Sequence, residues 1–137
     1  MPSLLLDTCA ILWIAEGEDI SPKALDALDR THRAGERTYV SPISAWEVGL
    51  LASRDRVQLL MAPQRWFARL LETPGVYLAS LSPDVLIQSS YLPGKPPRDP
   101  ADRIIIATAR DLGCPVLTRD RTLVEYGKQG HLDVVIC

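Results

Sequence analysis

Short apolar runs alternate along this chain with stretches whose apolar residues recur at helical spacing. Residues 3–6, 38–40, 76–79, 116–118 and 132–136 are brief apolar runs of the length expected for buried strands. Between them, punctuation marks out helices. Thr8 is predicted to cap a helix over residues 10–15, which Gly17 stops. Ser21-Pro22 is a cap followed by proline at the first helical position, opening a helix through Ala24, Leu25 and Leu28 towards Gly35. Ser44 is predicted to cap a helix carrying Trp46, Val48, Leu50 and Leu51, which fades near Ser53. Pro63 opens a helix over residues 63–72, with Trp66, Phe67, Leu70 and Leu71 on one face. Ser82-Pro83 repeats the cap-and-proline signal before Val85 and Leu86 and reaches towards Tyr91. A proline-rich loop over residues 93–98 precedes Asp99-Pro100, which starts the longest helix; Gly113 ends it. A short helix is expected over residues 122–126.

Strand and helix signals alternate from end to end, with no repeat or linker. That order predicts one α/β domain over residues 1–137, with a central, mainly parallel sheet and helices on both faces. A chain of 137 residues is long enough for one sizeable core and too short for two ordinary domains. Open sheets of this kind place their sites beyond the carboxyl ends of the strands.

Composition narrows the picture by exclusion. Fifteen basic and seventeen acidic residues give a formal charge of −2, so any nucleic-acid contact must rest on local patches. The N-terminal stretch lacks the basic region and cleavage site of a secretory signal, and no apolar run approaches the ~20 residues that span a bilayer. A cytoplasmic location without a membrane partner is expected. Cys9, Cys114 and Cys137 lack zinc-ligand spacing and read as buried free thiols. His32 and His131 fall in polar segments and read as surface residues.

Four acids stand where an acid is awkward. Asp7 closes the first strand run, where it serves a site or caps the next helix. Glu47 lies inside the apolar stripe Ile43, Trp46, Leu50 and Leu51; an unpaired carboxylate buried there costs several kcal/mol. The alternatives are a buried salt bridge or a place at the stripe's edge. Asp102 shares a face with Ile105, Ile106 and Ala109, while Asp99 before Pro100 reads as a cap with a supporting role. Asp120 follows the run at 116–118, as a surface ion-pair partner or as a fourth acid of the site; Thr118 is placed to orient a neighbouring carboxylate. Carboxylates gathered in this way repel one another, and a divalent cation is the usual reason such a cluster persists.

The ordered set Leu4-Leu5-Leu6-Asp7-Thr8, Ser41-Pro42-Ile43-Ser44-Ala45-Trp46-Glu47, Asp99-Pro100-Ala101-Asp102-Arg103-Ile104-Ile105-Ile106-Ala107-Thr108-Ala109 and Leu117-Thr118-Arg119-Asp120 resembles the PIN-domain ribonucleases, especially the VapC-type toxins of toxin–antitoxin pairs. The resemblance implies a three-layer α/β/α sandwich. It also implies an active site in which Asp7, Glu47, Asp102 and Asp120 bind metal, with Thr118 and Asp99 behind them. Oxygen ligands without His or Cys point to one or two Mg2+ or Mn2+ ions rather than zinc, and water is the expected nucleophile. Arg103, Arg119 and Arg121 are expected to contact RNA phosphates. Lys95 and Lys128 are read as solvated surface residues. A small antitoxin protein and a homodimer are the partners the family implies. Two other readings stand beside this one. A receiver-like phosphoacceptor module predicts paired acids after the first strand and a late lysine, which are missing here. A catalytically inactive PIN-like interaction domain has no need to keep four mutually repelling acids.

Overall fold

Leu4, Leu5 and Leu6 are at most 3% exposed because the strand they form is the middle of the sheet. The computed structural model describes residues 3–137; Met1 and Pro2, part of the stretch considered above as a signal sequence, lie outside the described residues. The strands are β1 (Leu4–Leu6), β2 (Thr38–Val40), β3 (Val76–Leu78), β4 (Val116–Thr118) and β5 (Val134–Ile136). They form one sheet in the order β3-β2-β1-β4-β5, and every pairing is parallel. The helices are α1 (Thr8–Ala15), α2 (Pro22–Arg33), α3 (Pro42–Ser53), α4 (Pro63–Leu71), α5 (Pro83–Gln88), α6 (Pro100–Leu112) and α7 (Arg121–Lys128). None is long and apolar enough to cross a membrane.

Alternation along the strands gives each face of the sheet its own core. Leu5 and Val116 pack with Ile105, Ile106, Leu123 and Tyr126 from α6 and α7. Leu6, Val40 and Leu117 point the other way, onto Ala10 and Ile11 of α1, Ala24 of α2 and Phe67 of α4. The result is the expected three-layer α/β/α arrangement. All residues of β1 and β4 are buried, so these two adjacent strands have no solvent face.

Two predicted caps sit one step away from those observed. Asp7, not Thr8, caps α1: its Oδ1 accepts from the Ala10 N–H at 2.8 Å, and Thr8 is the first helical residue. Ser41, not Ser44, caps α3, accepting from the Ile43 N–H, with Pro42 at the first helical position. A start at residue 41 turns Ser44 and Val48 inward and leaves Trp46 58% exposed, outside the stripe predicted for it. Tyr91 lies beyond α5 and is exposed, and β5 begins two residues later than the apolar run at 132. Cys114 and Cys137 are buried as expected, whereas Cys9 is exposed on the first turn of α1. His32 is exposed, but His131 is half-buried with its ring 5.8 Å from that of Tyr126.

Two glycines distinguish tight from open packing. A Cβ on Gly127 of α7 would lie 2.8 Å from the Val134 side chain, whereas one on Gly49 of α3 meets nothing within 4 Å. Gly127→Ala should therefore destabilise the protein by about 1–3 kcal/mol through overpacking. Gly49→Ala should stabilise it by about 0.5–1 kcal/mol through helix propensity. Urea unfolding midpoints check both, and shifts of the same sign would contradict this account of α7 on β5.

Candidate active site

The strand order reverses direction at β1. The chain fills β2 and β3 on one side of it and returns to place β4 on the other, so β1 and β4 flank the switch point. Asp7 follows β1 and Thr118 ends β4, and the Asp7 N–H donates to the Leu117 carbonyl at 3.2 Å. This pairing puts the Thr118 hydroxyl against Asp7, to whose Oδ2 it donates a short hydrogen bond, while the Ala10 N–H occupies Oδ1. The Asp7 carboxylate is 5% exposed and fixed from both ends. Thr118, fully buried, also accepts from the Asp120 N–H at 2.9 Å.

Glu47 reaches the same region from α3. Its Oε1 accepts from the Thr8 hydroxyl at 2.5 Å, one residue along from Asp7. It is half-buried and has neither of the alternatives considered for it in full: among the described residues it pairs with no arginine, and its carboxylate is not simply in water. Asp102 stands in the first turn of α6, half-buried, its N–H held by the Asp99 cap at 3.0 Å. Asp99 is thus a cap, as expected, and its charge adds to the field on Glu47 and Asp102. Asp120 is no surface ion-pair partner. It caps α7, with Oδ1 accepting from both the N–H and the hydroxyl of Thr122.

Asp7, Glu47 and Asp102 are each perturbed by burial and by neighbouring acids. Burial raises the Asp7 carboxyl above its ordinary range, against the pull of Thr118 and the Ala10 N–H, and Asp120 adds repulsion. Burial raises Glu47 too, opposed by the Thr8 hydroxyl and reinforced by Asp99, Asp7 and Asp120. Asp102, which lacks a compensating donor, is pushed up to about 7 by burial and then by Asp120, Asp99, Glu47 and Asp7. Cys9, facing the same acids, is pushed up to about 11 by burial and by their charge. Among the described residues the ion pairs are Arg30–Asp26, Arg33–Asp29 and Lys128–Glu125, and none involves the cluster. An anionic pocket with no internal counter-charge and oxygen donors suits a hard divalent cation. Among the described residues, however, no three acidic, His or Cys side chains already surround one point closely enough to hold an ion. The pocket therefore matches a cation by its chemistry and charge, not as a finished cage.

The arginines divide. Arg119 is largely committed to the scaffold: its guanidinium lies 3.9 Å from the Trp13 ring centroid and donates to the carbonyls of Cys137 and Asp19. Arg103 donates to the Ser89 carbonyl at 3.3 Å, and Arg121 is exposed. Thr8 and Ser44, which touch Glu47 directly or through one hydroxyl, escaped the sequence reading as site residues. The available signal was a hydroxyl three residues before Glu47 on its own helix.

Residues 4–129 match the family model described as PIN domain. The chain is 35% identical over 124 residues to Ribonuclease VapC22 of Mycobacterium tuberculosis (strain ATCC 25618 / H37Rv), covering 90% of this chain and 91% of that protein. Among solved structures, the fold is similar to one in the crystal structure of VapBC2 from Rickettsia felis bound to a DNA fragment from their promoter. There the TM-score is 0.68 at 12% identity, over 98% of both chains. It is also similar to one in DNA-bound VapBC from Salmonella typhimurium, at TM-score 0.65 and 20% identity over 99% of this chain and 98% of that one.

The raised acids carry a pH signature. A carboxyl with a higher pKa folded than unfolded favours the native state at low pH, and that advantage is lost as pH rises from the unfolded value of 3.8 through about 7 for Asp102. Metal-free Asp102→Asn should accordingly melt higher than wild type at pH 8, and by a smaller margin at pH 5. Mn2+ should raise the wild-type melting temperature more at pH 8 than at pH 5. Melting curves at the two pH values check both, and a pH-independent Mn2+ effect would contradict a site built from these groups.

Proposed function

The chain belongs to the PIN-domain family, and on that footing we propose that it is the ribonuclease toxin of a toxin–antitoxin pair, hydrolysing phosphodiester bonds in RNA with Mg2+ or Mn2+ in the cytoplasm. The observation that carries this reading is the uncompensated acidic pocket at the β1–β4 switch point, in a chain 35% identical to a ribonuclease. Family membership leaves the receiver-like alternative without support.

Asp7, Glu47, Asp102 and Asp120 are the residues assigned to hold one or two ions. Such an ion, when bound, supplies positive charge for the phosphoryl oxygens and acidity for an attacking water. Thr118 and the Ala10 N–H keep both Asp7 oxygens oriented. Glu47, held by Thr8, is assigned to orienting the attacking water. Asp99 fixes the first turn of α6 and with it the Asp102 backbone. RNA phosphates are assigned to Arg121 and to the unoccupied edges of Arg103 and Arg119, which makes binding salt-sensitive.

The antitoxin is assigned to a groove of about 830 Å3 between α1, α2 and α4. Ile11, Ile14, Leu60, Trp66 and Leu70 line it, and Leu60 is wholly exposed, as suits the apolar face of an amphipathic helix. Exposed Trp46, Leu86, Ile87 and Tyr91 support a homodimer.

Asp7→Asn is the sharpest test, because asparagine keeps the helix cap while removing the charge. RNA cleavage in Mg2+ should fall at least about 100-fold, a loss of roughly 2.7 kcal/mol in transition-state stabilisation, with the circular dichroism spectrum unchanged. Full metal-dependent cleavage by Asp7→Asn would refute the assignment. Ile14→Glu with Leu60→Glu should abolish co-purification with a co-expressed antitoxin and spare RNA cleavage. Retained co-purification would place the partner elsewhere.

A further inference from the structure

Glu47 enters the pocket from α3, where it is half-buried. One contact fixes it: the Thr8 hydroxyl on Oε1 at 2.5 Å. Behind Thr8 stands Ser44, whose Oγ lies 2.9 Å from Thr8 Oγ1. A hydroxyl has one proton to donate, and an ionised carboxylate only accepts. With the Thr8 proton on Glu47, the 2.9 Å contact requires Ser44 to donate to Thr8. The direction of the chain is then set: Ser44 to Thr8 to Glu47, each bond polarising the next. Ser44 is fully buried and Thr8 is 6% exposed, so water does not compete for either group.

We propose that Thr8, backed by Ser44, is a positioning residue that aims the Glu47 carboxylate into the acidic pocket. This rests on the metal-dependent ribonuclease reading above and adds to it a second threonine with its own acid. Thr118 holds Asp7 across the β1–β4 seam, and Thr8 holds Glu47 across the contact between α1 and α3. The two threonine–acid pairs sit on consecutive residues at one point of the chain, since Asp7 and Thr8 are neighbours. The α1 N-terminus therefore sets both acids with a single backbone segment, and a shift of that segment disturbs both.

The test compares Thr8→Val, which keeps the shape and removes the hydroxyl, with Thr8→Ser, which keeps the hydroxyl. Each is made alone and together with Glu47→Gln, and Ser44→Ala is added as a milder lesion. Readouts are Mn2+ affinity by calorimetry, steady-state RNA cleavage and the melting temperature. Thr8→Val should weaken Mn2+ binding at least about 10-fold and lower kcat by a similar factor, as loss of a ligand-orienting partner does, with KM for RNA within about twofold. Thr8→Ser should restore both properties to within about threefold of wild type. In the Glu47→Gln background, Thr8→Val should add no further loss, because the hydroxyl acts through that carboxylate. Thr8→Val with wild-type Mn2+ affinity and kcat, or a loss that adds fully to that of Glu47→Gln, would overturn the positioning role. So would a fall in melting temperature with no change in either site property. A wild-type protein that neither binds Mn2+ nor cleaves RNA would remove the underlying reading and this proposal with it, and the wild-type arm identifies that case directly.

Discussion

The parallel pairing of β1 with β4 is the constraint from which the rest of the site follows. It joins residues more than one hundred positions apart, and it places the end of one buried strand against the end of another at the switch point of the sheet. Asp7 and Thr118 meet because Leu6 pairs with Leu117. The leucine core on both faces holds that register, since a slip of one residue would turn Leu5 and Leu6 to the wrong layers. The geometry of the acid is thus secured by apolar burial rather than by polar contacts alone.

Around that seam the protein gathers carboxylates it does not neutralise. Helix caps do part of the gathering: Asp7 caps α1, Asp99 caps α6 and Asp120 caps α7. Three helix N-termini therefore converge near one pocket, and their partial positive charge eases the burden of so much negative charge. The offset is incomplete, as the upward displacement of Asp7, Glu47 and Asp102 shows. Capping and a site role are not alternatives here. One carboxylate oxygen of Asp7 serves the helix, and the other is held by Thr118.

Much of this was legible in the residues. Runs of apolar residues three to five long gave the strands, and Ser-Pro and Asp-Pro pairs gave helix starts at residues 22, 83 and 100. The errors lie where two candidate caps were close together. Thr8 and Ser44 are each good capping residues, yet Asp7 and Ser41 hold those places, because the helices begin directly where β1 and β2 end. Displaced from capping, the Thr8 hydroxyl reaches Glu47 and the Ser44 hydroxyl stands behind it on Thr8. The expected burial of Cys9 failed for the same reason: the first turn of α1 presents Ala10 and Ile11 to the core and turns Cys9 outward.

Local pattern determined the elements, their order and the four acids, because strand runs, capping residues and an acid in an apolar stripe are properties of neighbouring positions. Which acids share a field, which hydroxyl serves which carboxylate, and which arginine is spent on Trp13 and the C-terminal carbonyl were decided by the tertiary structure. Those contacts join residues 18 to 111 positions apart, and only sheet register and helix packing fix distances over such separations.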